Sequence, residues 1–168
     1  GGLGLNSLEK NVKEGPEVLV NNTLDSNQDR PSVTRLTDGG FVSVWVSDHL
    51  GDIRIYGQRY DSEGNTVDGE FQINTDTTGN QDPILEVTDL TNGGFVVIWD
   101  TNPTGDRRVY GQIFNSEGNR VGGEFQVNTN ANSFQMFSTV AGLSDGGFIA
   151  CWHSNHTGDM RVYGQRYD

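Results

Sequence analysis

The feature that most constrains this chain is an internal repeat that occurs three times at nearly constant spacing. A hairpin-forming Gly-Gly-Phe block begins after Asp38, Asn92 and Asp145, and each copy continues through an aliphatic stretch to a tryptophan. A second block, Gly-Asp-x-Arg-aliphatic-Tyr-Gly-Gln, starts at positions 51, 105 and 158. A third, Glu-x-x-aliphatic-Asn, starts at positions 17, 70 and 124. The chain is therefore three tandem copies of one unit.

Each unit predicts four strands. In the first copy these are residues 31–36, 41–46, 54–60 and 70–74, joined by Gly-rich and Asx-rich turns typical of tight hairpins. The result is a four-stranded antiparallel meander. Residues 1–16 are predicted to be a leader or linker, and residues 17–168 one repeat domain with units 17–69, 70–123 and 124–168.

The second strand of each unit is apolar on both faces, because Phe95, Val97 and Trp99 alternate with Val96 and Ile98. A strand buried on both sides needs packing partners on both sides, which favours radially stacked, β-propeller-type blades. Three blades are fewer than the usual four to eight. We therefore expect completion by head-to-tail dimerisation or membership of a longer repeat protein, with residues 17–22 pairing as a fourth strand with residues 161–168. A β-trefoil or β-prism with pseudo-threefold symmetry is the alternative.

Charge and hydropathy exclude several partners. The net charge of -12 argues against nucleic acid, which requires clustered Lys and Arg. No apolar run approaches the twenty or so residues of a membrane-spanning helix, so membrane insertion is not expected. The single Cys151 excludes an internal disulfide.

Two of the repeated motifs resemble known families. The Asp-Gly-Gly-Phe-Val-x-Val-Trp and Tyr-Gly-Gln-Arg-Tyr-Asp-x-x-Gly segments resemble tandem repeats of long secreted bacterial adhesins of the RTX kind. They are also similar in outline to bacterial β-propeller repeats, although glycine stands at Gly40, Gly94 and Gly147 where those repeats carry lysine. The resemblance implies an extracellular or cell-surface bacterial module, often associated with calcium, without an attached reaction.

The best candidate for ligand binding is the Trp, Asp, Arg and Tyr set that recurs around the third strand. Aromatic faces suit the apolar face of a sugar ring, and a planar cation and carboxylate suit its hydroxyls. The candidates are Trp45, Asp52, Arg54, Tyr56, Trp99, Asp106, Arg108, Tyr110, Trp152, Asp159, Arg161 and Tyr163. In the competing interpretation the aromatic residues fill the core and the motif recurs because the fold needs it.

Calcium is a candidate cofactor, since Asp25, Asn27 and Asp29 alternate like the ligands of a calcium loop. The second copy has Asp76, Asn80 and Asp82, and the third has Asn130, Asn132 and Gln135. No closing glutamate follows Asp29, and Asx side chains also cap turns. Turn chemistry is the favoured interpretation.

Catalytic signatures are weak. The Gly-x-Ser-x-Gly pattern at residues 142–146 requires a strand-to-helix turn, but Ser144 is the repeat counterpart of Thr37 and Thr91 in a hairpin. Cys151 replaces Val44 and Ile98 and is predicted to be a core residue. The sequence therefore predicts no enzyme. It predicts a non-catalytic extracellular binding module for a glycan or cell-surface ligand, with a structural or oligomerising spacer as the alternative.

Overall fold

The computed structural model describes residues 15–75, 77, 83–101, 107–130 and 134–168, and all its regular elements are β-strands. They form three antiparallel sheets, one per repeat, which we call blades 1, 2 and 3. Blade 1 comprises β1 (Gln28–Arg35), β2 (Phe41–Ser47), β3 (Arg54–Tyr60) and β4 (Thr66–Gln72). Blade 2 comprises β5 (Leu85–Asp89), β6 (Phe95–Thr101), β7 (Arg108–Phe114) and β8 (Arg120–Gln126). Blade 3 comprises β9 (Gln135–Gly142), β10 (Phe148–Ser154) and β11 (Arg161–Tyr167).

Each blade is a meander in which consecutive strands are hydrogen-bonded neighbours. The first strands of the blades, β1, β5 and β9, contact one another in succession, and the sheets stack face to face. This is the arrangement of β-propeller blades and confirms the predicted fold class. The trefoil alternative does not apply, because each repeat forms a sheet of its own. The prism alternative does not apply, because the sheets stack in a row with two separate core layers and do not enclose one shared core.

The core consists of two layers between blades. In the layer between blades 1 and 2, the rings of Phe95 and Phe114 stack at 4.9 Å and Phe71 of the preceding blade packs against them. Between blades 2 and 3, Phe148 and Tyr167 stack at 4.7 Å. The aromatic residues of the Gly-Gly-Phe block therefore sit in the layer that joins each blade to the one before it.

The fourth strand differs from its prediction. It was expected at residues 70–74, but β4 begins at Thr66, directly after the 61–65 turn. An irregularity in the β3–β4 pairing is fixed by Gln58, whose amide donates to the carbonyls of Val67 and Asp68 at 3.1 and 3.2 Å. Asp68 has a φ of 58°. The bulge lets the strand start early and still place Phe71 against the next blade.

Blade 3 has three strands among the described residues, not the four predicted. The expected pairing of residues 17–22 with 161–168 of the same chain is not formed. Residues 17–22 are not in a strand, and they contact blade 1 at the opposite end of the row of blades. The two segments are kept apart because blade 2 lies between blades 1 and 3.

Candidate functional site

The candidate site lies at one edge of the blades, which we call the loop edge. Here the first and third strands of each blade begin and the second and fourth strands end, because neighbouring strands are antiparallel. The loop edge carries the connections 48–53 and 155–160 and the segments between blades. The opposite edge, the turn edge, carries the hairpin turns 36–40, 61–65, 90–94, 115–119 and 143–147.

A Ser–His–Tyr unit occurs at the loop edge of blade 1. The hydroxyl of Ser47, which is buried, lies 2.7 Å from Nδ1 of His49. The imidazole packs against the ring of Tyr56 with centroids 5.2 Å apart. The hydrogen bond from Ser47 holds the histidine in place, so two half-buried rings pack against each other in this unit.

Blade 3 repeats this unit. Ser154 Oγ lies 2.9 Å from His156 Nδ1, and the His156 and Tyr163 rings are 4.4 Å apart. The Tyr163 hydroxyl also shares a 3.2 Å hydrogen bond with Thr157 Oγ1. The corresponding loop of blade 2, residues 102–106, lies outside the described residues. The sequence signal that could have identified the unit is Ser-x-His-x-Gly-Asp, which occurs at residues 47–52 and 154–159.

The predicted arginines border these ring pairs. Arg54 donates to Gln72 Oε1 at 3.3 Å and lies 3.8 Å from the Asp52 carboxylate, and it is partly exposed. Arg108 is half-buried, and Arg161 and Asp159 are exposed. Asp106 lies outside the described residues. The structure therefore brings Asp, Arg and Tyr together at the loop edge in blades 1 and 3.

The predicted tryptophans do not share this surface. Trp45, Trp99 and Trp152 are all buried. Trp99 lies in the layer between blades 1 and 2, and Trp152 in the layer between blades 2 and 3. The indole N–H of Trp45 donates to Gln28 Oε1 at 3.0 Å. Trp99 and Trp152 fill interior space between blades, and Trp45 is 5% exposed on the outer face of blade 1, so none of the three offers an open ring face at the loop edge.

The first-copy calcium candidates lie in the segment that leads into β1 and at its start. The backbone N–H of Asn27 donates to the Asp48 carboxylate at 2.9 Å, and the Asp25 carbonyl accepts from Gln28 at 3.2 Å. Asp25 and Asp29 are exposed. In the described part of the chain, no group of three or more His, Cys, Asp or Glu side chains is placed to hold a metal ion. The second-copy candidates Asp76, Asn80 and Asp82, and Asn132 of the third copy, lie outside the described residues.

Sequence reasoning missed Asp100, a fully buried carboxylate near the loop edge of blade 2. It accepts from Arg107 at 2.7 Å and from the backbone N–H groups of Ile84 and Phe137 at 3.3 and 2.9 Å. Burial raises its pKa, while the Ile84 N–H and the Arg107 charge act in the opposite direction. Since Phe137 belongs to β9, Asp100 ties blade 2 to blade 3. Its repeat counterparts are Val46 and His153, so the repeat gave no signal.

The weaker catalytic candidates occupy structural positions. Ser144 is exposed in the 143–147 hairpin, where the Gly146 N–H donates to the Leu143 carbonyl at 3.2 Å. Cys151 is partly buried on the face of blade 3 that points away from blade 2. His153 packs edge-on against Phe137 at 5.0 Å.

Comparison with known proteins shows the fold. No protein-family model and no curated protein matches the chain. The endo-arabinase from Bacteroides thetaiotaomicron VPI-5482 superposes with a TM-score of 0.51 and 13% identity over 83% of this chain and 55% of that one. A point mutant of NanB sialidase from Streptococcus pneumoniae gives a TM-score of 0.48 and 12% identity over 76% of this chain and 20% of that one. This chain thus spans about half the length of the endo-arabinase, and the likeness shows the β-propeller fold alone.

No helix in the described part of the chain has the length and apolarity needed to cross a bilayer.

Proposed function

We propose that this chain is a non-catalytic, extracellular bacterial module that binds carbohydrate at its loop edge. The observation that carries the proposal is the paired His and Tyr rings, each beside an Arg and an Asp, at equivalent places in blades 1 and 3. Aromatic rings provide a face for the C–H side of a sugar, and Arg and Asp provide directed hydrogen bonds to its hydroxyls. Both kinds of group are needed to orient a saccharide.

Hydrogen bonds from neighbouring residues order the site before a ligand binds. Ser47 and Ser154, both buried, fix the histidines, and Tyr163 is also bonded to Thr157. A site that is already ordered loses less conformational entropy on binding. Equivalent sites on blades 1 and 3 would engage one multivalent glycan together, so that weak individual affinities combine.

Extracellular location is part of the proposal. It is supported by the acidic net charge of -12, by the resemblance of the repeats to secreted adhesins, and by the fold shared with a carbohydrate-active protein, the endo-arabinase. Calcium is retained as a candidate cofactor, to be tested by its effect on binding and stability.

The experiment is a glycan array followed by calorimetric titration of each hit, with calcium and with chelator. Arg161→Ala is expected to abolish the contribution of blade 3, because Arg161 is exposed beside Tyr163. The matched control is Arg35→Ala, which removes an equally charged side chain, 88% exposed, from the turn edge. Absence of any ligand on a broad panel in both conditions, or equal loss in both variants, would refute the proposal.

A structural spacer is the second candidate, and one observation favours it. Arg54 contacts Gln72 and Asp52 of its own blade, as expected if the motif recurs for packing. In that case Arg54→Ala lowers stability and leaves no binding activity to lose. Thermal unfolding beside the same titrations separates the two candidates.

A further inference from the structure

We propose that two copies of this chain associate head to tail, with residues 17–23 of each copy completing blade 3 of the other to give a closed ring of six blades. The proposal is independent of carbohydrate binding. It rests on a donor segment, an acceptor edge and two complementary faces that the chain itself supplies.

The donor segment already sits where the end of a preceding blade would lie. The hydroxyl of Tyr60 donates to the carbonyl of Val20 at 2.6 Å, and its repeat counterpart Tyr167 donates to the carbonyl of Val127 at 3.3 Å. Val127 directly follows the fourth strand of blade 2. Residues 17–23 therefore contact blade 1 in the way that the end of blade 2 contacts blade 3.

A glutamate on each fourth strand shows the same equivalence. Glu124 of blade 2 accepts from the backbone N–H of Thr75, which follows the fourth strand of blade 1, at 2.5 Å, and also from its hydroxyl. Glu70 of blade 1 accepts from the backbone N–H of Asn22 and, at 3.1 Å, from the hydroxyl of Thr23. Asn22 is the repeat counterpart of Thr75. The segment is thus docked where the last strand of a preceding blade would lie.

The acceptor is β11, the outermost strand of blade 3, which is hydrogen-bonded to β10 on one side. Its counterparts β3 and β7 each pair with a fourth strand on the other side. Val162 of β11 is 78% exposed, whereas its counterparts Ile55 and Val109 are 0% exposed. An unpaired strand with an exposed apolar side chain is a template for another strand.

The repeat fixes how donor and acceptor fit. Beyond the fourth strands of blades 1 and 2, the Ile73 and Val127 N–H groups donate to the third-strand carbonyls of Ile55 and Val109, both at 2.7 Å. In the same register Val20 N–H donates to the Val162 carbonyl of the second copy. By the same rule Val18 lies opposite Gly164, as Phe71 lies opposite Gly57.

A side-chain bond accompanies this register. Asn74 Oδ1 accepts the Ile55 N–H at 2.7 Å, and Asn128 Oδ1 accepts the Val109 N–H at 2.8 Å. Asn21 is their counterpart, and its amide already donates to the Thr23 carbonyl at 2.7 Å, as Asn128 donates to Asn130. In the proposed dimer, the Oδ1 of Asn21 therefore accepts the Val162 N–H of the second copy.

The open face of blade 1 carries a cavity of about 230 Å³. Its lining residues are Val20, Asn21, Gln28, Asp29, Pro31, Ser43 and Trp45. The corresponding space on blade 2 is filled by side chains of blade 1 that point toward blade 2, namely Val44, Val46 and Ile55. Their counterparts on blade 3 are Cys151, His153 and Val162, so the second copy supplies the groups that would fill this cavity.

Arginine gives a further match at the turn edge. Arg59 donates to the carbonyls of Ser116 and Glu117 in the turn of the next blade at 2.7 and 2.6 Å. Blade 3 has Arg166 at the same position. Its expected partner is the 61–65 turn of the second copy, where the space beside Gly64 is open.

The number of copies follows from ring size. Known propellers have four to eight blades, and two copies of this three-bladed stretch together supply six. Such a ring has two identical junctions related by a twofold axis and leaves no open edge.

The test is the solution mass of the full chain and of two variants. The wild type is expected at twice 18.4 kDa. Val20→Pro removes the N–H that would bond to the Val162 carbonyl. Gly164→Arg places a side chain where Val18 of the other copy would lie. Within its own chain, a Cβ added at Gly164 meets Cys151 Sγ first, at 3.3 Å. Both are expected at 18.4 kDa, whereas the control Gly123→Arg, at an open glycine of blade 2, stays dimeric.

A mixture of the two variants distinguishes loss of the interface from misfolding of a variant. Val20→Pro keeps an intact β11 edge and Gly164→Arg keeps an intact donor segment, so an equimolar mixture is expected to recover a two-copy species. Alkylation of Cys151 is a second readout, since its counterparts Val44 and Ile98 are fully buried and the thiol should be protected only in the dimer. A monomeric wild type, a mass above two copies, a dimer insensitive to both variants, or a mixture that stays monomeric overturns the proposal.

Discussion

Gly57 and Gly111 provide the sharpest test of how the fourth strand packs on the third. A Cβ at Gly57 would lie 2.8 Å from Phe71 Cζ, 3.1 Å from Cε2 and 3.3 Å from Ile73 Cδ1. A Cβ at Gly111 would meet three atoms of the Phe125 ring at 2.7, 3.0 and 3.2 Å. Carbon atoms pack favourably at about 3.5–4.0 Å, so each ring would have to move by roughly 1 Å.

The rings are half-buried, and other aromatic rings restrict their motion on the core side. Phe71 is packed against Phe95 and Phe114, and Phe125 against Phe148 and Tyr167. Overpacking of a filled core costs about 1–3 kcal/mol. Gly57→Ala and Gly111→Ala are therefore expected to lower the free energy of unfolding by about 2 kcal/mol each.

Two glycines of the same sheets are matched controls. A Cβ at Gly69 in β4 or at Gly123 in β8 would have no atom within 4 Å. Replacing either by alanine restricts the unfolded chain without strain, so it should be neutral or stabilising by up to about 1 kcal/mol. Urea unfolding of all four variants, followed by fluorescence of the buried tryptophans, gives the comparison. Equal effects at Gly57 and Gly69 would refute the packing of Phe71 described above.

Two other predictions concern interblade contacts and acid stability. Arg59→Met keeps the apolar stem but loses two hydrogen bonds to the next blade. It should lower the free energy of unfolding in urea by about 2 kcal/mol. The control Arg35→Met removes an exposed 3.7 Å ion pair and should lower it by less than about 1 kcal/mol. Hydrogen bonds from the backbone and side chain of Asn65 lower the pKa of Asp61 below its ordinary 3.8. Its stabilising contribution is therefore full above the unfolded pKa and is lost as pH falls through the folded pKa. Asp61→Asn should flatten the fall in stability below about pH 4, and an unchanged acid limb would contradict this.

The repeat made the architecture predictable, because three aligned copies of a two-faced apolar strand require stacked sheets. Within the blades, β3 was predicted with its observed bounds, and β2 to within one residue. The start of β4 was missed because it depends on the bulge held by Gln58, a tertiary hydrogen bond that leaves no local signal. Gln58 is fully buried.

The site was predictable only in part, because repetition marks residues needed by the fold and residues needed by a ligand alike. Burial separates them, and it places Trp99 in the core while leaving Arg161 exposed. Asp100 shows the opposite limit. It occurs in one copy only, where Val46 and His153 stand in the others, so a search for repeated residues passes over it.

A unit that is apolar on both faces is stabilised only as far as both faces are covered, and the three copies show this directly. Ile55 and Val109 are fully buried by a neighbouring blade and a fourth strand, while Val162 has neither on its outer side. Burying one such side chain contributes about 1.5–3 kcal/mol, which is large against the 5–15 kcal/mol of a typical domain. The apolar positions that stabilise the inner blades are therefore exposed at the outer edge, where covering them by another surface is favourable. In the proposed dimer, the second copy would bury Val162 as the neighbouring strand and blade bury Ile55 and Val109.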